Sequence, residues 1–255
     1  MQKLVLIHGW DYKHYSSMTP SKDVWDNRRK LVDGLQKLFD IKIITLPGFC
    51  GEREPNSPWK LEDFADFVEQ KLQKDNFNPD YILGYSFGGA VALTHKLKYN
   101  KNKIILVSPA ISRKYRPESA AHNKLKYFIN VLPCKLKELV KDQYISKVLK
   151  NPFYAKGTNF LKKTYLNIVG IDMSAELKKL STDDFKIIFG EKDTATPPQI
   201  LLDKIPNIDK NIVILRDGTH DIANTNTNEL INEIVKFTNT NNNFTQSIRQ
   251  HSYEI

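Results

Sequence analysis

Cysteine is scarce in this chain: 255 residues hold two, Cys50 and Cys134. Their spacing is neither paired nor metal-like, so it supports no disulfide framework and no zinc site. Both read as ordinary reduced thiols, and a cytoplasmic protein is expected. Long apolar runs are also missing. None approaches the roughly 20 residues that a helix needs to cross a bilayer, so no membrane span is expected. The opening Met1–His8 has one lysine and a short apolar run, with no small-residue cleavage site before Gly9-Trp10. A first strand is expected there rather than a signal peptide. No internal repeat is found, and no nucleic-acid motif accompanies the positive charge, so no nucleic-acid partner is expected.

The formal net charge of +9 is unevenly placed. Residues 111–180 carry 15 Lys/Arg against 5 Asp/Glu, more than the whole net charge of the chain. Such a run is ordinarily a solvated surface. It would equally suit a basic lid that attracts anionic substrates.

Six short apolar runs predict strands: Lys3–Ile7, Ile41–Leu46, Tyr81–Leu83, Ile104–Val107, Lys186–Phe189 and Ile212–Leu215. Most are continuous rather than alternating, as strands covered on both faces of a parallel sheet are. Helical patterns lie between them over Val24–Phe39, Leu61–Leu72, Ser86–Tyr99 and Glu229–Thr238. Alternation of this kind predicts a doubly wound, mostly parallel α/β sheet of about six strands. Between Ser108 and about Asp183 the alternation stops, and an amphipathic helical insertion is expected. The expected organisation is a core over 1–110, a helical cap over 111–182, the rest of the core over 183–238, and a flexible tail over 239–255.

The chemistry-bearing residues gather at strand ends. Gly84-Tyr85-Ser86-Phe87-Gly88 follows the third run and opens a helix, a G-x-S-x-G pattern in strand–turn–helix context. The turn is so sharp that Gly84 and Gly88 leave no room for a Cβ, and the serine hydroxyl is left exposed as a nucleophile. After the fifth run come Gly190-Glu191-Lys192-Asp193-Thr194-Ala195-Thr196-Pro197. After the sixth come Arg216-Asp217-Gly218-Thr219-His220-Asp221. A serine hydroxyl needs a base within hydrogen-bond reach. Histidine suits that task near neutral pH, and a carboxylate on its other ring nitrogen fixes the tautomer. Glu191, Asp193, Asp217 and Asp221 all compete for the carboxylate, although the last two lie close in sequence to His220. His14, His95, His122 and His251 sit away from strand-end turns and read as surface or core histidines.

The order Ser86, Asp193, His220, with His8-Gly9 after the first strand, resembles the α/β-hydrolase superfamily over roughly residues 1–238. The resemblance singles out Asp193 as the acid and makes 110–180 the cap. It implies an oxyanion hole from the backbone N–H groups of Phe87 and Trp10. It also implies that the chain starts at the family's third strand. His8 could be a second base, but it reads better as a structural histidine that orders the oxyanion loop. Trp10, Tyr85 and Phe87 stand where they could line an acyl pocket, and aromatics beside a sheet equally serve packing. The loop Asp11–Asp23, with Tyr12, His14 and Tyr15, could fold over the site or lie on the surface.

The function expected is that of a serine hydrolase cleaving a carboxylic ester, or a related acyl bond, of a small molecule, with no cofactor or metal. A thioesterase acting on an anionic carrier is the alternative within serine chemistry. A catalytically silent hydrolase-fold binding protein is the alternative outside it. Proline-releasing aminopeptidase activity is less favoured, because the tryptophan that usually follows the elbow serine is Phe87 here. Oligomeric state is not legible.

Overall fold

The computed structural model describes residues 1–19, 23–114, 143–148 and 150–238. Six strands form one sheet: β1 (Lys3–Ile7), β2 (Asp40–Ile44), β3 (Tyr81–Tyr85), β4 (Lys103–Val107), β5 (Phe185–Gly190) and β6 (Ile212–Leu215). Their order is β2-β1-β3-β4-β5-β6, and every pair is parallel. Burial explains the continuous apolar runs. Ile104 to Val107, Ile187 to Phe189 and Leu4 to Ile7 are fully enclosed, as strands covered on both faces must be.

Among the described residues five helices have eight residues or more: α1 (Arg29–Gln36), α2 (Leu61–Lys74), α3 (Phe87–Tyr99), α4 (Asn159–Ile168) and α5 (Thr227–Thr238). The chain leaves β1 toward β2 on one side, then returns past β1 to β3 and continues to β6. With right-handed crossovers that reversal places α1 on one face and α2 and α3 on the other. The helices pair accordingly, α1 against α5 and α2 against α3. Of the five, α3 is buried on nearly every side, which accounts for its apolar character all round. The crevice opened by the reversal lies beyond the carboxyl ends of β1 and β3, where ligands bind in such sheets.

For two elements the departure from the sequence expectation has a visible local cause. The pattern Val24–Phe39 predicts one helix, whereas a 3-10 turn at Asp26–Arg28 precedes the shorter α1. The Asp23 side chain accepts the Trp25 N–H at 2.9 Å, an Asx turn that competes with helix continuation. Apolar periodicity also runs to Leu46, yet β2 stops at Ile44. The Leu46 N–H is diverted to His8 Nε2 at 3.0 Å.

Between β4 and β5 the described residues form α4 and the short helices Pro152–Ala155 and Ser174–Leu177. Residues 115–142 of the expected helical cap, with Cys134 and His122, lie outside the described residues, as do His251 and the expected tail. Among the described residues no helix is long and apolar enough to cross a membrane.

Candidate active site

Ser86 sits between β3 and α3 with φ 53° and ψ −113°, a conformation that L-residues rarely adopt. Its neighbours hold it there. The Ser86 N–H donates to Val107 O at 2.9 Å, and the Ser86 carbonyl accepts from Gly89 at 3.0 Å and Ala110 at 2.9 Å. The flanking glycines are steric requirements. A Cβ on Gly84 would fall on the Gly88 carbonyl, and one on Gly88 would fall on the carbonyls of Ile7 and His8. So sharp a turn leaves the serine side chain projecting from the end of the sheet.

His220 comes from the loop after β6. Its Nε2 lies 3.2 Å from Ser86 Oγ, and its Nδ1 lies 2.8 Å from Asp193 Oδ2. Asp193, in the loop after β5, is 3% exposed and accepts at both oxygens. The N–H groups of Ala195 and Thr196 donate to Oδ1 at 2.9 and 2.8 Å. The Thr196 hydroxyl donates to Oδ2 at 2.8 Å. Burial alone would push the Asp193 carboxyl up, but the hydrogen bonds from His220 and Thr196 outweigh it and hold it below its usual range. A lasting carboxylate thus fixes the imidazole so that its far nitrogen faces the serine.

Opposite this line stand the loop after β1 and the start of α3. Phe87 is the first residue of α3, so its N–H has no intrahelical acceptor. Among the described residues the Trp10 N–H has no acceptor either. The indole of Trp10 packs edge-on against Phe87 at 5.1 Å and Phe49 at 5.2 Å. It also donates to Tyr15 Oη at 2.6 Å, and Tyr15 in turn donates to the Phe153 carbonyl at 2.5 Å. His8 lies beneath. Nε2 accepts from Leu46, and Nδ1 contacts Gly9 O at 2.8 Å, which places the proton on Nδ1. Burial pushes its pKa down to about 4. A neutral imidazole with both nitrogens occupied ties the loop after β1 to the end of β2. That is a structural placement, with neither ring nitrogen directed at the serine.

The sequence model of the alpha/beta hydrolase family matches residues 4–222. The chain belongs to that family. Among curated proteins it is 33% identical over 112 residues to a proline iminopeptidase of Flavobacterium johnsoniae, and 26% identical over 173 residues to one of Saccharolobus solfataricus. These alignments cover 42% and 65% of this chain but 36% and 50% of the relatives. The chain therefore spans half or less of the curated proteins it matches. Among solved structures, a meta-cleavage product hydrolase from Pseudomonas fluorescens superimposes with a TM-score of 0.62 at 18% identity. That superposition covers 95% of this chain and 92% of the other, and it speaks to the fold.

Within this alpha/beta hydrolase, Ser86, His220 and Asp193 meet, while the competing acids turn elsewhere. Glu191 accepts the Asp217 N–H at 3.0 Å, Asp217 pairs with Lys192 at 2.5 Å, and Asp221 pairs with Arg28 at 2.8 Å. His14 and His95 are buried against Asp26 and Glu69. Tyr85 departs from the pocket expectation. The residue is 2% exposed, and its hydroxyl donates to the His220 carbonyl at 2.7 Å, so it packs behind the site. Of the Asp11–Asp23 loop, Tyr15 meets the Trp10 indole. Tyr165 of α4 approaches Trp10 at 5.9 Å and stacks on Phe153. Sequence reasoning passed over Thr196, Arg28, Phe153 and Tyr165. For Thr196 a signal existed, since an aspartate three residues before a threonine suggests a side-chain turn. Among the described residues no group of three or more His, Cys, Asp or Glu is placed to hold a metal.

Proposed function

We propose that this chain is a serine hydrolase that cleaves a carboxylic ester, or a related acyl bond, of a small molecule through an acyl-enzyme intermediate. The observation that carries the reading is the unbroken line from Ser86 Oγ through His220 to the buried Asp193. His220 Nε2 takes the serine proton as Oγ attacks the carbonyl carbon, and the C=O electron pair moves onto oxygen. The Trp10 and Phe87 N–H groups would receive that oxyanion. One such donor contributes about 2.7–4 kcal/mol to the transition state, and the positive end of α3 adds to it. The tetrahedral adduct collapses, His220 protonates the departing alkoxide, and the acyl group stays on Ser86. His220 then deprotonates a water that attacks the acyl-enzyme, and Ser86 regains its proton. Asp193 keeps the imidazole in the tautomer that makes both transfers possible.

The test is labelling by a fluorophosphonate, followed by turnover of p-nitrophenyl esters of graded chain length. Wild type should label and Ser86→Ala should not. A folded wild type that takes no label sinks the enzyme reading and leaves a binding protein. Acyl-CoA thioesters and a prolyl p-nitroanilide belong in the same screen. Faster turnover of the thioester would select the carrier alternative. Faster release of proline would select the activity named for the curated relatives, against the ester reading.

A further inference from the structure

A base that serves Ser86 needs its backbone fixed as well as its ring. Asp193 holds one edge of the His220 ring, but the loop after β6 is short and turns through a positive φ at Asp217 (58°). What holds the His220 main chain is Tyr85, the residue immediately before the serine, whose hydroxyl donates to the His220 carbonyl at 2.7 Å. One side chain therefore links the nucleophile's turn to the base's loop.

Arg28 closes the arrangement from the turn before α1. Its guanidinium carbon sits 4.5 Å above the Tyr85 ring. Its Nε donates to Asp221 Oδ1 at 2.8 Å, and its Nη2 reaches Tyr85 Oη at 3.5 Å. The Asp221 carboxylate also faces the Tyr85 hydroxyl at 3.3 Å and accepts from Asn224 at 2.8 Å. The Arg28 side chain is only 14% exposed, which is unusual for an arginine unless it is paired. Burial holds the Tyr85 phenol well above its usual range, so the hydroxyl keeps its proton to donate near neutral pH.

We propose that Arg28, Tyr85 and Asp221 form one positioning unit that fixes the His220 backbone so that its imidazole meets Ser86. The inference rests on the serine-hydrolase reading. Arg28 acts by orienting Tyr85 and pinning Asp221, the residue next to the base. None of the three touches the reacting atoms.

The experiment compares Tyr85→Phe, Arg28→Met and the double variant, with the active fraction of each counted by fluorophosphonate titration. Tyr85→Phe keeps the ring and removes one hydrogen bond, and Arg28→Met keeps an apolar stem over that ring. Each single variant should lower kcat per active site roughly 3- to 10-fold, as the loss of one such bond allows, with KM changed by less than about 2-fold. Because the residues act as a unit, the double variant should be at most about 2-fold worse than the weaker single variant. A purely structural role would reduce the active fraction and leave kcat per site intact, and that result overturns the proposal. So does a double variant whose loss is the full product of the two singles. If wild type itself fails to label, the serine-hydrolase reading fails first.

Discussion

Replacing Thr196 by valine removes a hydroxyl that lies 2.8 Å from Asp193 Oδ2 and 3.1 Å from Ser108 O, and it tests how the Asp193 carboxylate is held. Asp193 accepts four hydrogen bonds: two from the backbone of Ala195 and Thr196, one from His220 and one from Thr196 Oγ1. The last is 2.8 Å long and reaches a carboxylate with no exposed side-chain surface. A hydrogen bond to a charged group contributes about 1.5–3 kcal/mol, so the variant should lose about that much stability at pH 7. Asp193 is held below its usual range in the folded chain. Its contribution is therefore present above the unfolded carboxyl value near 4 and is lost as pH falls through the folded value. The variant's carboxyl is less depressed, so the gap between the two proteins should be widest near neutrality and should narrow below about pH 4. Urea denaturation at several pH values reads this directly. Equal midpoints at pH 7, or a gap unchanged down to pH 3, would mean that the hydroxyl does not hold the carboxylate.

Other perturbations have equally definite outcomes. Asp193→Asn should preserve the fold near neutral pH yet lower kcat by about 10⁴-fold through the wrong imidazole tautomer; full activity would move the acid to Glu191. His8 is buried neutral with its pKa lowered to about 4, so the unfolded chain binds the extra proton between that value and about 6.5. Stability should then fall by up to about 3 kcal/mol as pH drops through this window. His8→Gln should flatten that slope, and an unchanged slope would refute the assignment. Gly88→Ala drives a methyl into the carbonyls of Ile7 and His8 and should cost about 2–3 kcal/mol together with activity. Gly170→Ala, which meets nothing within 4 Å, is the control, and similar midpoints for both would contradict the steric argument.

Much of the sheet was legible because its strands are buried on both faces and so read as unbroken apolar runs. Their ends were less legible, since a side chain can claim a backbone donor that periodicity cannot foresee, as His8 claims the Leu46 N–H. The same limit shortened α1, where Asp23 takes the Trp25 N–H. In the site, Ser86 and His220 could be picked out because each follows a strand end with a distinctive local pattern. Asp193 could be separated from Glu191 only by resemblance. In the structure the distinction is one of direction: Glu191 faces the Asp217 backbone, and Asp193 turns inward to the His220 ring. Arg28 carried no local signal at all. Its partner Asp221 lies 193 residues away in sequence, and only the folded sheet brings the turn before α1 beside the loop after β6.

Tyr85 shows why a pocket reading from sequence alone was uncertain. The elbow turn at Ser86 changes the direction of the chain within one residue, so adjacent side chains serve opposite sides of the same loop. Ser86 projects from the sheet end, while Tyr85 is carried back against Trp25 and Arg28. The strained φ of Ser86 costs of order 1–3 kcal/mol, and it persists because both ends of the residue are hydrogen-bonded to the strand and loop of β4. The seam between β3 and β4 therefore does two things at once: it holds the serine in an unfavourable conformation and directs the preceding tyrosine to the His220 carbonyl. One backbone turn thus carries both the Ser86 side chain and the tyrosine that meets the His220 main chain, while Asp193 meets the His220 ring.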